Sequence, residues 1–133
     1  MGAGSYGQPD FDNGVVADLE AARAFLETLA RYPDYRIYVA EIDNEVVGVY
    51  SLLIMHKLGH KCVPSAILED IVVATSRQRQ GLGKAMVAHA MTMARSKNCY
   101  KLVLSSNARR THAHRFYDQL GFHRHGVSFH VAL

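Results

Sequence analysis

The stretch AILEDIVVATSRQRQGLGKAM, at positions 66–86, decides the fold. Its first part, 66–74, is apolar almost throughout, which predicts a central β-strand buried on both faces. Gly81 and Gly83 follow and lead into an apolar pattern of helical spacing. A strand, a glycine turn and a helix in this order predict an anion site. The reason is that the first N–H groups of a helix lack internal partners and carry the positive end of its dipole.

The flanking segments predict a mixed α/β sheet with a βαβ crossover in its middle. Asp18 is expected to cap the first helix, and Pro33 to end it. An Asp-Asn pair at 43–44 predicts a tight turn between two antiparallel strands. The expected elements are a helix over 18–30, strands at 35–42 and 43–55, a loop at 56–65, a strand at 99–106, a helix over 109–120 and one or two closing strands at 122–133.

Length and composition indicate one globular domain. The chain has 133 residues, of which 49% are hydrophobic and 20% charged, an ordinary mixture for a domain of this size. We expect residues 1–14, rich in Gly, Pro, Asp and Asn, to be a loop or loose tail and 15–133 to be the domain. The net charge of +3 is spread along the chain, whereas a nucleic-acid-binding protein would carry a clustered basic stripe.

The sequence also bears on compartment and metals. Cys62 and Cys99 form no disulfide or zinc framework, which favours reduced thiols in a cytoplasmic protein. No run of about 18 apolar residues predicts a membrane span, and the N-terminus lacks the pattern of a signal peptide. The eight histidines include close pairs, but no carboxylate or cysteine stands at a recognisable ligand spacing, so no metal site is predicted.

Three phosphate-binding patterns compete for the glycine stretch. A P-loop would need glycine at 78 and Ser or Thr at 85, where the chain has Gln78 and Ala85. A dinucleotide fingerprint would need a third glycine at position 86, which is methionine. The pattern Gln/Arg-x-x-Gly-x-Gly/Ala matches over 78–83. An ordinary strand-to-helix turn is the alternative for so short a pattern.

The third pattern is the pyrophosphate loop of the GNAT superfamily of acyl-CoA N-acyltransferases, and a second segment strengthens the resemblance. AHRFYDQLGF at 113–122 is similar to the family's Ala-x-x-Phe-Tyr-x-x-x-Gly-Phe helix, and a predicted strand lies between the two motifs. The resemblance covers roughly residues 35–133. LSSNARRTHAHRFYDQLGF resembles aminoalkylphosphonate N-acetyltransferases, and LEDIVV and CYK resemble glucosamine-6-phosphate N-acetyltransferases.

The resemblance implies that acetyl-CoA is the co-substrate and that a small primary amine, anionic or neutral, is the acceptor. It places the pyrophosphate on the loop and the pantetheine arm along the free edge of the central strand. Asn107 could hydrogen-bond the same arm, although a helix cap is an equal alternative. The cofactor-binding residues expected are Ile71, Val72, Val73, Gln78, Arg79, Gln80, Gly81, Leu82, Gly83, Lys84 and Asn107.

The chemistry calls for a base and an acid. Glu69 and Asp70 are adjacent on a strand, so only one should face the acceptor. A carboxylate in so apolar a run would be a stronger base than usual, and each is alternatively a structural hydrogen-bond acceptor. Tyr117 matches the family tyrosine that gives a proton to the leaving thiolate. His56 and His60 are candidates for contacts with the acceptor.

These residues favour an N-acetyltransferase in which the amine attacks directly in a ternary complex, because no cysteine stands at a motif position. Two alternatives stay open: a non-catalytic acyl-CoA-binding regulatory module on the same fold, and a nucleotide-binding module. The first strand and helix of the family fold are expected to be missing or reduced to residues 1–14. They usually wall the acceptor site, so either a partner chain, as in a homodimer, supplies that wall, or the site is open, or the chain begins late.

Overall fold

The computed structural model describes residues 18–133. The predicted tail at 1–14 therefore lies outside the described residues, as does the expectation that the family's first strand and helix are missing or reduced. In chain order the elements are α1 (Leu19–Leu29), β1 (Tyr35–Ile42), β2 (Glu45–Met55), β3 (Ser65–Val73), α2 (Leu82–Ser96), β4 (Leu102–Val103) and α3 (Thr111–Gln119), with 3₁₀ turns at His60–Cys62 and Thr75–Arg77.

The strands form one mixed sheet in the order β1-β2-β3-β4. The β1–β2 and β2–β3 pairs are antiparallel, whereas β3 and β4 are parallel. Helix α2 connects the parallel pair, so β3, α2 and β4 form the βαβ crossover that the sequence predicts. The predicted mixed α/β fold class is confirmed.

The chain divides into two compact units. The first ends at Val103 and contains α1, α2 and the whole sheet. The second runs from Leu104 to Leu133 and contains α3. The single domain expected over 15–133 stays a prediction.

Local chemistry explains where α1 and the β1–β2 hairpin begin and turn. The Asp18 carboxylate accepts a hydrogen bond from the Ala21 N–H at 2.8 Å, which confirms the predicted helix cap. Asp43 and Asn44 have φ angles of 52° and 63°. Two successive left-handed residues are the signature of the two-residue type I′ turn, whose twist matches that of the flanking strands.

Helix α2 packs one face onto the sheet. Its buried residues are Met86, Val87, Ala90 and Ala94. Gly48 of β2 makes the close approach possible, because a Cβ atom there would lie 2.7 Å from the Met86 sulfur. The sheet and α2 are also tied by a hydrogen bond of 2.5 Å between the Tyr50 hydroxyl and Nδ1 of His89.

Three expectations about strands need correction. Strand β3 is buried only in part: Ser65, Ala66 and Leu68 are buried, but Glu69 and Asp70 are exposed. The strand expected at 99–106 is reduced to Leu102–Val103. The closing strands expected at 122–133 are absent. An alternation of polar and apolar residues forms a strand only where another strand pairs with its backbone, and residues 122–133 pair with no described strand. The apolar side chains of that alternation, Val127, Phe129, Val131 and Leu133, are exposed.

No helix within residues 18–133 is long and apolar enough to cross a lipid bilayer.

Candidate functional site

The site in the first unit begins with an incompletely paired edge of β3. Strand β4 pairs with β3 only at Ala66 and Ile67, opposite Leu102 and Val103. From Leu68 to Val73 the strand keeps its pairing with β2 on the other side but has no strand partner on this side among the described residues. The candidates Ile71, Val72 and Val73 lie on this stretch, so their edge is open to an extended ligand.

A β-bulge interrupts β3 at the two candidate bases. Ser51 of β2 pairs with Glu69 and Val49 pairs with Val72, so Tyr50 alone faces both Asp70 and Ile71. Asp70 has a φ of 53°, a left-handed conformation that non-glycine residues rarely adopt. The argument that adjacent strand residues face opposite sides therefore fails here, because it assumes a regular strand.

Glu69 and Asp70 are both exposed. The expectation that an apolar environment would make one of them a stronger base therefore loses its basis. Glu69 shares a face of the sheet with its partner Ser51, whereas the neighbouring Leu68 pairs with buried Leu52. Both carboxylates are accessible to an acceptor, and the bulge places them where the open edge of β3 begins.

The glycine stretch joins β3 to α2 through a loop with unused backbone donors. No N–H group from Arg79 through Lys84 makes a hydrogen bond within the described part of the chain, and the first N–H bonded back into α2 is that of Ala85, to the Gly81 carbonyl. Arg79 and Gly81 are left-handed, with φ angles of 64° and 79°. Alternating left-handed residues turn successive N–H groups towards a common centre and form an anion-binding concavity.

The side chains of this loop divide into two roles. Gln78 donates its amide N–H to the Val73 carbonyl at 3.2 Å, and Gln80 donates to the Ser76 carbonyl at 3.4 Å. Gln78 therefore holds the loop against the end of β3, and Gln80 holds it against the 3₁₀ turn at Thr75–Arg77. Arg79 and Lys84 are exposed and supply the positive charge, while Leu82 and Gly83 form the first turn of α2.

A second group of cations surrounds Tyr100 at the beginning of β3 and β4. The Lys57 ammonium donates to the Tyr100 hydroxyl at 2.7 Å, and the Lys101 ammonium lies 5.4 Å from the centre of its ring. The His60 imidazole stacks on the same ring at 3.9 Å. The hydrogen bond from Lys57 holds the pKa of Tyr100 below its ordinary value. His60 thus belongs to a basic, aromatic cluster, whose members Lys57, Tyr100 and Lys101 the sequence reasoning missed because no motif marks them.

His56 lies apart from that cluster. Its Nε2 is 3.5 Å from the Asp34 carboxylate, and the Lys97 ammonium is 3.4 Å from the other oxygen. The hydrogen bond with His56, followed by that with Lys97, lowers the pKa of Asp34. His56 therefore has a partner within the fold.

The second unit contains the remaining candidates. Tyr117 of α3 is buried, with Phe116 and Phe122 packed against its ring at 5.2 and 5.6 Å. Burial raises the pKa of its phenol, which stays protonated at neutral pH. The Asn107 carboxamide oxygen accepts from the Arg109 N–H at 2.9 Å. The carboxamide oxygen of Asn107 therefore stabilises the turn before α3, and its NH₂ group is the part that can bind a ligand.

No cluster of three or more potential metal ligands occurs in the part of the chain that the structure describes.

Comparisons with known proteins identify the class. The sequence profile of the Acetyltransferase (GNAT) family matches residues 8–122. A glucosamine 6-phosphate N-acetyltransferase from Trypanosoma brucei brucei is 33% identical over 90 residues, 68% of this chain and 59% of that protein. An aminoalkylphosphonate N-acetyltransferase from Salmonella typhimurium is 32% identical over 101 residues, 76% of this chain and 65% of that protein. The matches thus span less than two thirds of each relative.

Solved structures agree with this family. The glucosamine-6-phosphate N-acetyltransferase of Arabidopsis thaliana superimposes with a TM-score of 0.74 at 26% identity, over 90% of this chain and 80% of that one. An acetyltransferase from Trypanosoma brucei superimposes with a TM-score of 0.78 at 26% identity, over 94% and 87%. The chain belongs to the GNAT family of acetyltransferases, and the resemblance seen in the two motifs is confirmed.

Proposed function

We propose that the chain is an acetyl-CoA-dependent N-acetyltransferase that transfers the acetyl group to a primary amine of a small molecule by direct attack in a ternary complex. The observation that carries the proposal is the run of unused N–H groups from Arg79 through Lys84, placed directly after the open edge of β3. A pyrophosphate needs such donors, and an amide-rich pantetheine arm needs such an edge. Family membership supports the same assignment.

The acceptor we propose is an amine that carries an anionic group. Two relatives support this class, because one is a glucosamine 6-phosphate N-acetyltransferase and the other an aminoalkylphosphonate N-acetyltransferase. Lys57 and Lys101, which lie with His60 around Tyr100, supply cations at the beginning of β3. A thioester extended along β3 from one end and an anionic amine held at the other would meet near the bulge, where Glu69 and Asp70 lie.

Within this proposal, each residue has a defined part in proton transfer. Acetyl-CoA supplies an activated acetyl group, whose C–S bond breaks as the C–N bond forms. Glu69 or Asp70 accepts the proton that the attacking amine loses, directly or through water. The Tyr117 hydroxyl gives its proton to the departing thiolate. Backbone N–H groups on the open edge of β3 polarise the carbonyl oxygen.

Binding of acetyl-CoA tests the loop. In Gly83→Val a side chain in the first turn of α2 would occupy the space in front of the free N–H groups, and we expect calorimetry to show at least a hundredfold weaker binding. Gly81 is a poorer choice, because its φ of 79° would strain any branched side chain. Gly59→Val is the matched control, since a Cβ there meets nothing within 4 Å. Equal affinity in folded Gly83→Val would refute the loop assignment.

Turnover separates the enzyme from a non-catalytic acyl-CoA-binding module. We expect thiol release from acetyl-CoA with phosphorylated or phosphonylated primary amines, and a markedly higher KM for the same amines without the anionic group. Tight acetyl-CoA binding with no thiol release across the amine panel would favour the regulatory module. Binding of ATP with affinity equal to that of acetyl-CoA would favour a nucleotide-binding module.

Tyr117→Phe tests the acid. The hydroxyl acts only as the thiolate forms, so kcat should fall about a hundredfold while the Kd of acetyl-CoA changes little. Phe116→Leu is a control for packing in α3, because it alters the neighbouring ring without removing a proton donor. Rates in Tyr117→Phe equal to those of the wild type would place the acid elsewhere.

Asp70→Asn and Glu69→Gln test the base. The carboxylate that takes the amine proton must be ionised, so its loss should remove the acidic limb of the pH–rate profile and lower kcat about a hundredfold. We favour Asp70, because it directly precedes the open Ile71–Val73 edge. Its amide variant keeps the size of the side chain at the bulge, so a stability change should be small. If both variants keep near-wild-type rates across the pH range, neither Asp70 nor Glu69 is the base.

A further inference from the structure

Tyr50 occupies the one position of β2 that faces the bulge in β3. Its neighbours Val49 and Ser51 each pair with a single residue of β3, whereas Tyr50 stands opposite both Asp70 and Ile71. Only 2% of Tyr50 is exposed. Because strand partners fix one another's register, the residue across from a bulge contributes to where the bulge sits.

The Tyr50 side chain is held on two sides. Tyr38 of β1, its cross-strand partner, stacks on the ring with the centroids 5.2 Å apart and the planes 25° from parallel. The Tyr50 hydroxyl, which burial keeps protonated by raising its pKa to about 12, forms a 2.5 Å hydrogen bond with Nδ1 of His89. The His89 imidazole also meets the Tyr38 ring edge-on at 5.1 Å.

His89 belongs to α2, the helix whose first turn presents the free N–H groups. It lies two turns beyond Leu82, about 10 Å along the helix axis at 1.5 Å per residue. The Tyr50–His89 hydrogen bond therefore joins the strand opposite the bulge to the helix that begins at the glycine loop.

We infer that Tyr50, tethered by His89, is a positioning residue that holds the Asp70–Ile71 bulge in register, and with it the N–H groups of the open β3 edge. Its effect on rate rests on the acetyltransferase function proposed above. The effect of Tyr50 on the conformation of the bulge is independent of that function, because it can be measured in the free protein.

The left-handed conformation of Asp70 explains why a tether is needed. A non-glycine residue with φ near 53° is held there by its surroundings and relaxes when they loosen. A bulge that relaxes or moves by one residue turns the neighbouring N–H groups to new directions. The proposed pyrophosphate contacts lie beyond the end of β3, so they would be little affected. The N–H groups of the β3 edge serve both the pantetheine arm and the thioester carbonyl, so we expect a larger loss in the chemical step than in the affinity for acetyl-CoA.

The first measurement is NMR of the free protein. Tyr50→Phe removes the tether but keeps the ring, so ring-current effects on neighbouring amides stay nearly constant. We expect the amide and Cα shifts of Asp70 and Ile71 to move or to split into two sets in Tyr50→Phe and in His89→Ala. His89→Asn should restore the wild-type shifts, because an Asn amide can place a hydrogen-bonding atom where Nδ1 stood. Tyr38→Phe, the same chemical change on the stacked partner, should leave them unchanged.

The second measurement is steady-state kinetics with calorimetry. A displacement of the reacting groups of about 1 Å can cost about a hundredfold in rate. We expect kcat to fall tenfold or more in Tyr50→Phe and His89→Ala, with a much smaller rise in the Kd of acetyl-CoA, because the pyrophosphate contacts are kept while the β3 edge is disturbed. Recovery in His89→Asn would support the tether, because a merely structural loss would not be rescued by one hydrogen bond.

The outcomes separate this inference from the proposed function. Unchanged Asp70 and Ile71 shifts in both Tyr50→Phe and His89→Ala would overturn it, as would equal changes in Tyr38→Phe. A fall in kcat matched by an equal loss of acetyl-CoA affinity would also overturn it. A wild-type protein without turnover would refute the proposed function alone, and the NMR comparison would still decide whether Tyr50 holds the bulge. His89 is exposed, so its variants remain informative should Tyr50→Phe fail to fold.

Discussion

The parallel pairing of β3 with β4 stops after Ile67 and Val103, and the rest of the site depends on that stop. Had the two strands stayed paired, every N–H and C=O of β3 would be used within the sheet. Instead the strand offers an edge from Leu68 to Val73, and backbone polar groups of this kind need a partner. The next segment adds the free N–H groups of the glycine loop. One interrupted ladder thus provides both an extended binding edge and an anion site in continuous sequence.

Backbone strain is concentrated around β3. Left-handed non-glycine residues stand before it at His60–Cys62, within it at Asp70 and after it at Arg79. Each such residue costs about 1–2 kcal/mol relative to a regular conformation. The other left-handed residues lie in turns or at a helix end. Asp43 and Asn44 form a type I′ hairpin turn, which requires that geometry. Asp34 lies in the turn before β1, and Asn98 directly follows the C-cap of α2, where a left-handed residue is common. Strain that no turn type demands is a feature of binding and catalytic segments, and here it follows the strand that forms the site.

The sequence was sufficient wherever local chemistry decides. The Asp18 cap, the Asp43–Asn44 turn and the order of elements in the βαβ crossover follow from short-range preferences. The bulge at Asp70 could not be predicted, because it is a relation between β3 and β2 and depends on which residue stands opposite. The prediction of closing strands at 122–133 was wrong for the same reason. Polar and apolar residues alternate there, but no described strand pairs with them. The cluster around Tyr100 joins a loop residue, Lys57, to residues more than forty positions later, and no spacing rule reports such contacts.

The order of charges along β3 favours one orientation of two substrates. Cations stand before the strand, at Lys57 and Lys101, and after it, at Arg79 and Lys84, while the exposed carboxylates of Glu69 and Asp70 lie between them. Glu69 stands four residue steps from either end of β3, about 13 Å at 3.3 Å per residue. That exceeds the screening length of about 8 Å at physiological ionic strength, so each charge group acts on a different part of a bound molecule. Anionic head groups are drawn to the two ends and repelled from the middle, whereas an ammonium group is drawn to the carboxylates. Under the proposed function, a pyrophosphate at one end and a phosphate at the other would direct the thioester and the amine towards each other, close to the carboxylates of Glu69 and Asp70.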